Sequence, residues 1–141
     1  LPIFQNGEVN TWPIINELQK KDPFISIIVP KIVNDELKHY NILPHTKYVV
    51  NQYNIMEPID AMEFTKDHID LAIIPLLGCD KFGNRVGYGK GYYDKFLKTI
   101  NVGNKIGVSF FDPIYRIKDI NLLDTKLDYC ITPNELHRFC K

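Results

Sequence analysis

The sequence predicts an α/β fold: a three-layer, mostly parallel sheet with helices on both faces. Short continuous apolar runs, of the kind parallel sheets bury on both faces, alternate with stretches of helical periodicity. A glycine-rich loop joins one such run to a helical stretch, and a further apolar run follows, which makes a βαβ unit. The 141 residues, 45% hydrophobic and 24% charged, fit one soluble domain (1–141) with enough apolar material for its own core.

The elements follow in order. Thr11-Trp12-Pro13 opens a helix: Thr11 is its expected cap, the early proline is tolerated there, and Ile14, Ile15 and Leu18 share a face. Ile25–Val29 is a buried strand, stopped by Pro30. A short helix is expected around Asn34–His39, and Tyr48-Val49-Val50 is a weaker strand. Leu71–Pro75 is a continuous apolar strand, and a polar, glycine-rich loop runs from Gly78 to Lys90. The helix after it carries Tyr93, Phe96, Leu97 and Ile100, and Lys105–Phe110 returns as a strand. Tyr129–Thr132 is a last strand, and Asn134–Cys140 a short terminal helix.

Composition excludes several classes of function. Lys plus Arg and Asp plus Glu both number 17, so the chain lacks the positive field of a general nucleic-acid binder. Cys79, Cys130 and Cys140 form no C-x-x-C pair, and reduced cytosolic thiols are expected. His39, His45, His68 and His137 fall into no zinc-binding grouping. No apolar run reaches the ~18 residues of a membrane span, and no signal peptide is recognisable, so the expected location is cytoplasmic. The chain begins Leu1-Pro2-Ile3 without methionine, in what reads as the end of a strand, so an N-terminal segment is expected to have been removed or left out.

The chemistry concentrates in Gly83-Asn84-Arg85-Val86-Gly87-Tyr88-Gly89-Lys90-Gly91-Tyr92-Tyr93-Asp94. This stretch follows a buried strand and enters a helix, where open α/β sheets bind ligands. Gly87, Gly89 and Gly91 let the backbone approach an anion, which amides at a helix start would face, and Arg85 and Lys90 add two positive charges. Neither G-x-x-x-x-G-K-[ST] nor G-x-G-x-x-G is present. On these residues alone, a phosphate cradle and a tight strand-to-helix connection with solvated Arg and Lys both stay open. Asp94 either stabilises the first turn of its helix or holds Mg²⁺, which takes one or two carboxylates plus phosphate oxygens and water. Asp124 is either a turn former or a second such carboxylate.

Arg85 through Asp94 resembles the signature of the 5-formyltetrahydrofolate cyclo-ligase family. Gly7–Thr11 resembles that family's E-V-D-T segment, and Tyr53–Pro58 its aromatic-N-I…P turn. Asp70–Pro75 with Asp80 resembles the strand and loop before the signature, and Asp124 through Asp128 its late D-x-x-x-D. The resemblance implies an ATP-dependent enzyme that cyclises 5-formyltetrahydrofolate to 5,10-methenyltetrahydrofolate. It implies the fold of certain sugar-phosphate isomerases and CoA transferases. Arg85, Gly87, Tyr88, Gly89, Lys90, Gly91, Tyr92 and Tyr93 would hold ATP, with Lys90 and Arg85 catalytic. Asp94 and Asp124 would coordinate Mg²⁺, and Glu8 and Tyr53 would contact the folate. The expected partner is that small-molecule substrate, without nucleic acid or membrane, and the expected state is a monomer.

Three departures stand out. Asn10 replaces the usual acidic residue, and Leu76 and Cys79 replace the customary glycine and phenylalanine before Asp80. Nothing corresponds to the family's basic N-terminal helix, so weak ATP binding is expected of this chain. Two other readings stay open: a catalytically degenerate nucleotide- or folate-binding module, and an isomerase or CoA-transferase on the same architecture.

Overall fold

The structure, a computed structural model, describes residues 8–121 and 124–139. The chain divides into two compact units, Leu1–Thr65 and Lys66–Lys141. The expected strand end at Leu1–Ile3 and Cys140 lie outside the described residues.

In the first unit, helix α1 spans Trp12–Lys21 with Pro13 in its first turn. Thr11 stands at the N-cap position and is buried, but its side chain makes no capping bond. The neighbouring Asn10 carboxamide instead accepts the Trp12 N–H at 3.1 Å, so the cap is one residue earlier than expected. Ile15, with Trp12 and Leu18 beside it, packs on a small core of Ile27, Val29 and Ile42. The Trp12 ring meets Tyr48 edge-on at 5.1 Å.

Strand β1 (Ile27–Val33) and strand β2 (Glu36–Ile42) form an antiparallel hairpin, which corrects two expectations. No helix forms at Asn34–His39, because Asn34 and Asp35 both take left-handed backbone (φ 50° and 59°) and close a tight turn. Nor does Pro30 end the strand: it lies within β1, opposite His39 of β2, and β1 is an outer strand of its sheet, where a missing N–H is tolerated. His39 is buried, and that burial pushes its imidazole down to about 4. Strands β3 (Lys47–Val50) and β4 (Met56–Ile59) make a second antiparallel pair, and β5 (Met62–Glu63) joins β2. The expected strand at Tyr48–Val50 is thus present.

In the second unit, β6 (His68–Pro75) contains the apolar run, and Ala72, Ile73 and Ile74 are buried in succession. A two-stranded hairpin follows, β7 (Gly78–Cys79) and β8 (Arg85–Val86), then helix α2 (Tyr92–Thr99) and β9 (Asn101–Val108). The latter runs parallel to β6, so the expected βαβ unit forms, with the glycine loop between β8 and α2. Strand β10 (Tyr129–Ile131) is parallel to β9.

The expected terminal helix is absent: Leu136–Arg138 is strand β11, antiparallel to β10, in a sheet of order β11-β10-β9-β6. The Thr132 hydroxyl forces that turn by accepting N–H groups of Asn134 (3.4 Å) and Glu135 (3.3 Å). The core gathers Ala72, Ile74, Leu76, Cys79, Leu127, Cys130 and Phe139, with Tyr93 and Leu97 of α2 packed against it. Cys79 and Cys130 are both free thiols. A hydrogen bond to Cys130, together with burial, pushes the Cys79 thiol well above its ordinary range. No helix among the described residues is long and apolar enough to cross a membrane.

Candidate functional site

The glycine loop is set by the hairpin before it. Asp80, fully buried, is the organiser: its Oδ1 accepts N–H groups of Phe82 (2.9 Å) and Asn84 (3.0 Å) and the Asn84 carboxamide (3.1 Å). Its Oδ2 accepts the Asn84 carboxamide again (2.9 Å) and the Ile117 N–H at 3.0 Å. Burial opposes the charge on Asp80, but these donors outweigh it and hold the carboxyl below its ordinary range. Arg85 therefore leaves the turn in a fixed direction, paired across the hairpin with Cys79 in the core.

Its side chain is 5% exposed, and Nη2 donates to Asp94 Oδ1 at 2.8 Å. The same oxygen accepts the Thr125 N–H at 3.2 Å. Asp94 lies in the first turn of α2, where a negative charge is favoured. Beyond Arg85 the chain passes Gly87, where a Cβ would stand 3.2 Å from Arg85 Nη1, so the guanidinium lies against the backbone. Gly89 (φ 86°) and Gly91 (φ 67°) take left-handed backbone, and a Cβ at either would meet nothing within 4 Å. The loop thus faces open space, and Gly91 caps α2 without a side-chain bond. Tyr88 and Lys90 are exposed, and Tyr92 and Tyr93 half-buried.

The segment carrying Asp124 crosses both pieces. Leu127 N–H donates to Gly83 O (2.9 Å) while Thr125 N–H reaches Asp94, so exposed Asp124 is held beside the start of α2. A Cβ at Gly83 would stand 2.8 Å from Leu127 O, which explains the glycine. Asp128 of the same segment is structural, buried against Lys105 Nζ at 3.0 Å.

Of the expected site residues, Arg85, the glycine loop, Asp94 and Asp124 come together in the second unit. Glu8 and Tyr53 lie in the first. Glu8 is half-buried shortly before α1. Tyr53 is 67% exposed on a turn stapled by Asn51, whose Oδ1 accepts N–H groups of Tyr53 (2.9 Å) and Ile55 (3.1 Å). Sequence reasoning gave no role to Asp80, Asn84 or Thr125. The D-x-x-x-N spacing is a local turn signal that could have found the first two; the Thr125 contact spans 31 residues and leaves no such trace.

Residues 3–125 match the 5-formyltetrahydrofolate cyclo-ligase family. The chain belongs to that family. Among curated family members, the 5-formyltetrahydrofolate cyclo-ligase of Mycoplasma genitalium is 37% identical over 101 residues, covering 70% of this chain and 55% of that protein. The Escherichia coli K12 enzyme of the same name is 31% identical over 98 residues, 67% of this chain and 53% of that one. This chain spans about half the length of the curated relatives it matches. Among solved structures, the NMR structure of Aquifex aeolicus 5,10-methenyltetrahydrofolate synthetase is similar, with a TM-score of 0.79 and 28% identity. It covers 99% of this chain and 70% of the Aquifex chain, and the likeness bears out the α/β fold class.

Proposed function

We propose that this protein cyclises 5-formyltetrahydrofolate to 5,10-methenyltetrahydrofolate, with ATP converted to ADP and phosphate. Family membership supports the reaction class. The observation that carries it is the open glycine loop between the β7–β8 hairpin and α2, with Lys90 on it and Asp94 behind it.

A formamide oxygen is a poor leaving group. Transfer of the γ-phosphoryl group to that oxygen forms an iminium phosphate; N10 attacks its carbon, and phosphate departs with the oxygen. Loop amides and the Lys90 ammonium hold the triphosphate and offset charge on the transferring group. Glu8 accepts hydrogen bonds from the pterin, and Tyr53 supplies apolar and stacking contact. The donor set fits Mg²⁺: among the described residues both hydrogen bonds to Asp94 fall on Oδ1, and Asp124 is exposed on the segment tied to Asp94. Among the described residues no cluster of three or more His, Cys, Asp or Glu side chains could hold a metal by itself, as suits an ion completed by phosphate and water. When bound, Mg²⁺ supplies neutralising charge at the phosphate oxygens. The protein is expected to act as a monomer in the cytoplasm.

Phosphate release from ATP, measured with and without 5-formyltetrahydrofolate, tests the reading. Release should depend on the folate. Lys90→Ala and Asp94→Ala should each lower it by about a hundredfold or more while circular dichroism stays unchanged. Near-normal turnover in both variants would defeat the assignment.

A further inference from the structure

The guanidinium of Arg85 is among the best-buried charges of the second unit, and its nitrogens are unequally partnered. Nη2 binds Asp94 Oδ1, whereas Nε is buried with no hydrogen-bond partner among the described residues and Nη1 lies under Gly87. Asp94 Oδ1 takes two donors, Arg85 Nη2 and the Thr125 N–H, from two different segments. Among the described residues both donors fall on Oδ1, which restrains the carboxylate and leaves Oδ2 the oxygen turned to other partners. Nη2 could reach phosphate only by leaving its 2.8 Å ion pair with Asp94, and the side chain that carries Nε and Nη1 is itself only 5% exposed, so a phosphate would find little of the guanidinium within reach.

We infer that Arg85 is a positioning residue: it acts through Asp94, turning Oδ2 toward the cation that accompanies the nucleotide, and does not itself clamp phosphate. The inference rests on the nucleotide reading of this loop given above. Groups that orient a metal-binding carboxylate matter nearly as much as the carboxylate itself, because they remove the freedom it would lose on binding. Gly87 belongs to the same device, since a side chain there would press on Nη1. Thr125 completes it by carrying the adjacent Asp124 to the same place.

The test compares wild type, Arg85→Gln and Arg85→Lys, using a non-hydrolysable ATP analogue and Mn²⁺ as the metal probe. Two quantities are read: affinity for the analogue in EDTA, by displacement of a fluorescent nucleotide, and half-saturation by Mn²⁺ with the analogue present, by electron paramagnetic resonance. Arg85→Gln should change the metal-free affinity by less than about twofold and raise the Mn²⁺ half-saturation by about 10–100-fold. Arg85→Lys, which keeps the charge but not the planar fork, should recover part of that loss. A fall in metal-free affinity as large as the metal effect would overturn the inference in favour of a direct phosphate clamp. An unchanged or lower Mn²⁺ requirement in both variants would overturn it too. Should Arg85→Gln fail to fold, Arg85→Lys carries the same comparison, with a several-fold rise expected and no rise refuting. Wild type that binds neither analogue nor Mn²⁺ with it would sink the nucleotide reading, and this inference with it.

Discussion

Replacing Asp80 by asparagine exchanges one carboxylate oxygen for an amide nitrogen at the organising point of the second unit. With the amide oxygen in the Oδ1 position, N–H groups of Phe82 and Asn84 keep an acceptor, though a neutral one. The new NH₂ then faces the Ile117 N–H and the Asn84 carboxamide, both donors to Oδ2 in the native protein. Asn84 can flip to offer its oxygen, but Ile117 cannot. The Ile117 bond to a charged group lost, at about 1.5–3 kcal/mol, the paired Asn84 carboxamide contacts reduced to one, and the Phe82 and Asn84 N–H bonds weakened on neutralisation give a cost of about 3 kcal/mol. Against a total stability of about 5–15 kcal/mol, that is large. Urea unfolding at pH 7 measures it. Because the native carboxyl is held below its ordinary 3.8, its contribution is complete above that pH and is lost as pH falls through the native value. The gap between wild type and Asp80→Asn should therefore hold above pH 3.8 and narrow as pH falls below it. A difference under about 0.5 kcal/mol at pH 7, the range of ordinary surface changes, would refute the reasoning, as would a gap that stays constant into acid.

Gly83→Ala should cost about 2–4 kcal/mol and Gly89→Ala only about 1 kcal/mol, since both have positive φ but only Gly83 also meets backbone; equal losses in urea melts would contradict this. Burial of neutral His39 makes the first unit lose stability as pH falls from 6.5 towards about 4, by on the order of 3 kcal/mol, because the unfolded imidazole takes the proton more readily. Fluorescence of Trp12, the single tryptophan, follows that unit, and an identical slope in His39→Gln would rule the assignment out. Lys105→Met should destabilise by about 3 kcal/mol by stranding the Asp128 carboxylate, part of which Asp128→Asn in the double variant should restore; a neutral Lys105→Met would show that the pair is dispensable.

The second unit was largely legible in the sequence. The run Leu71–Pro75, the glycine loop and the helical spacing of Tyr93 and Leu97 each carry a local signal, and each points to the same βαβ unit. The first unit was less so. Pro30 reads as a stop only for a strand flanked on both sides, and position within a sheet is not written in neighbouring residues. Asn34-Asp35 reads as a polar stretch until both residues are seen in left-handed backbone. The site divided along the same line. Glycines and charges announce the loop, whereas the Arg85–Asp94–Thr125 contact and the reach of Asp80 to Ile117 depend on chain returns of up to 37 residues.

The Thr125 and Leu127 amides lie two residues apart and end on different elements: one on the Asp94 carboxylate of α2, the other on the Gly83 carbonyl of the hairpin. Two separate elements are thus fastened through one short strap. Fraying at either end lengthens the free chain at the other, so the closed hairpin limits how far Asp124 can move from α2. Local opening of this corner is consequently a joint event, and its free energy is shared by three pieces of chain instead of one.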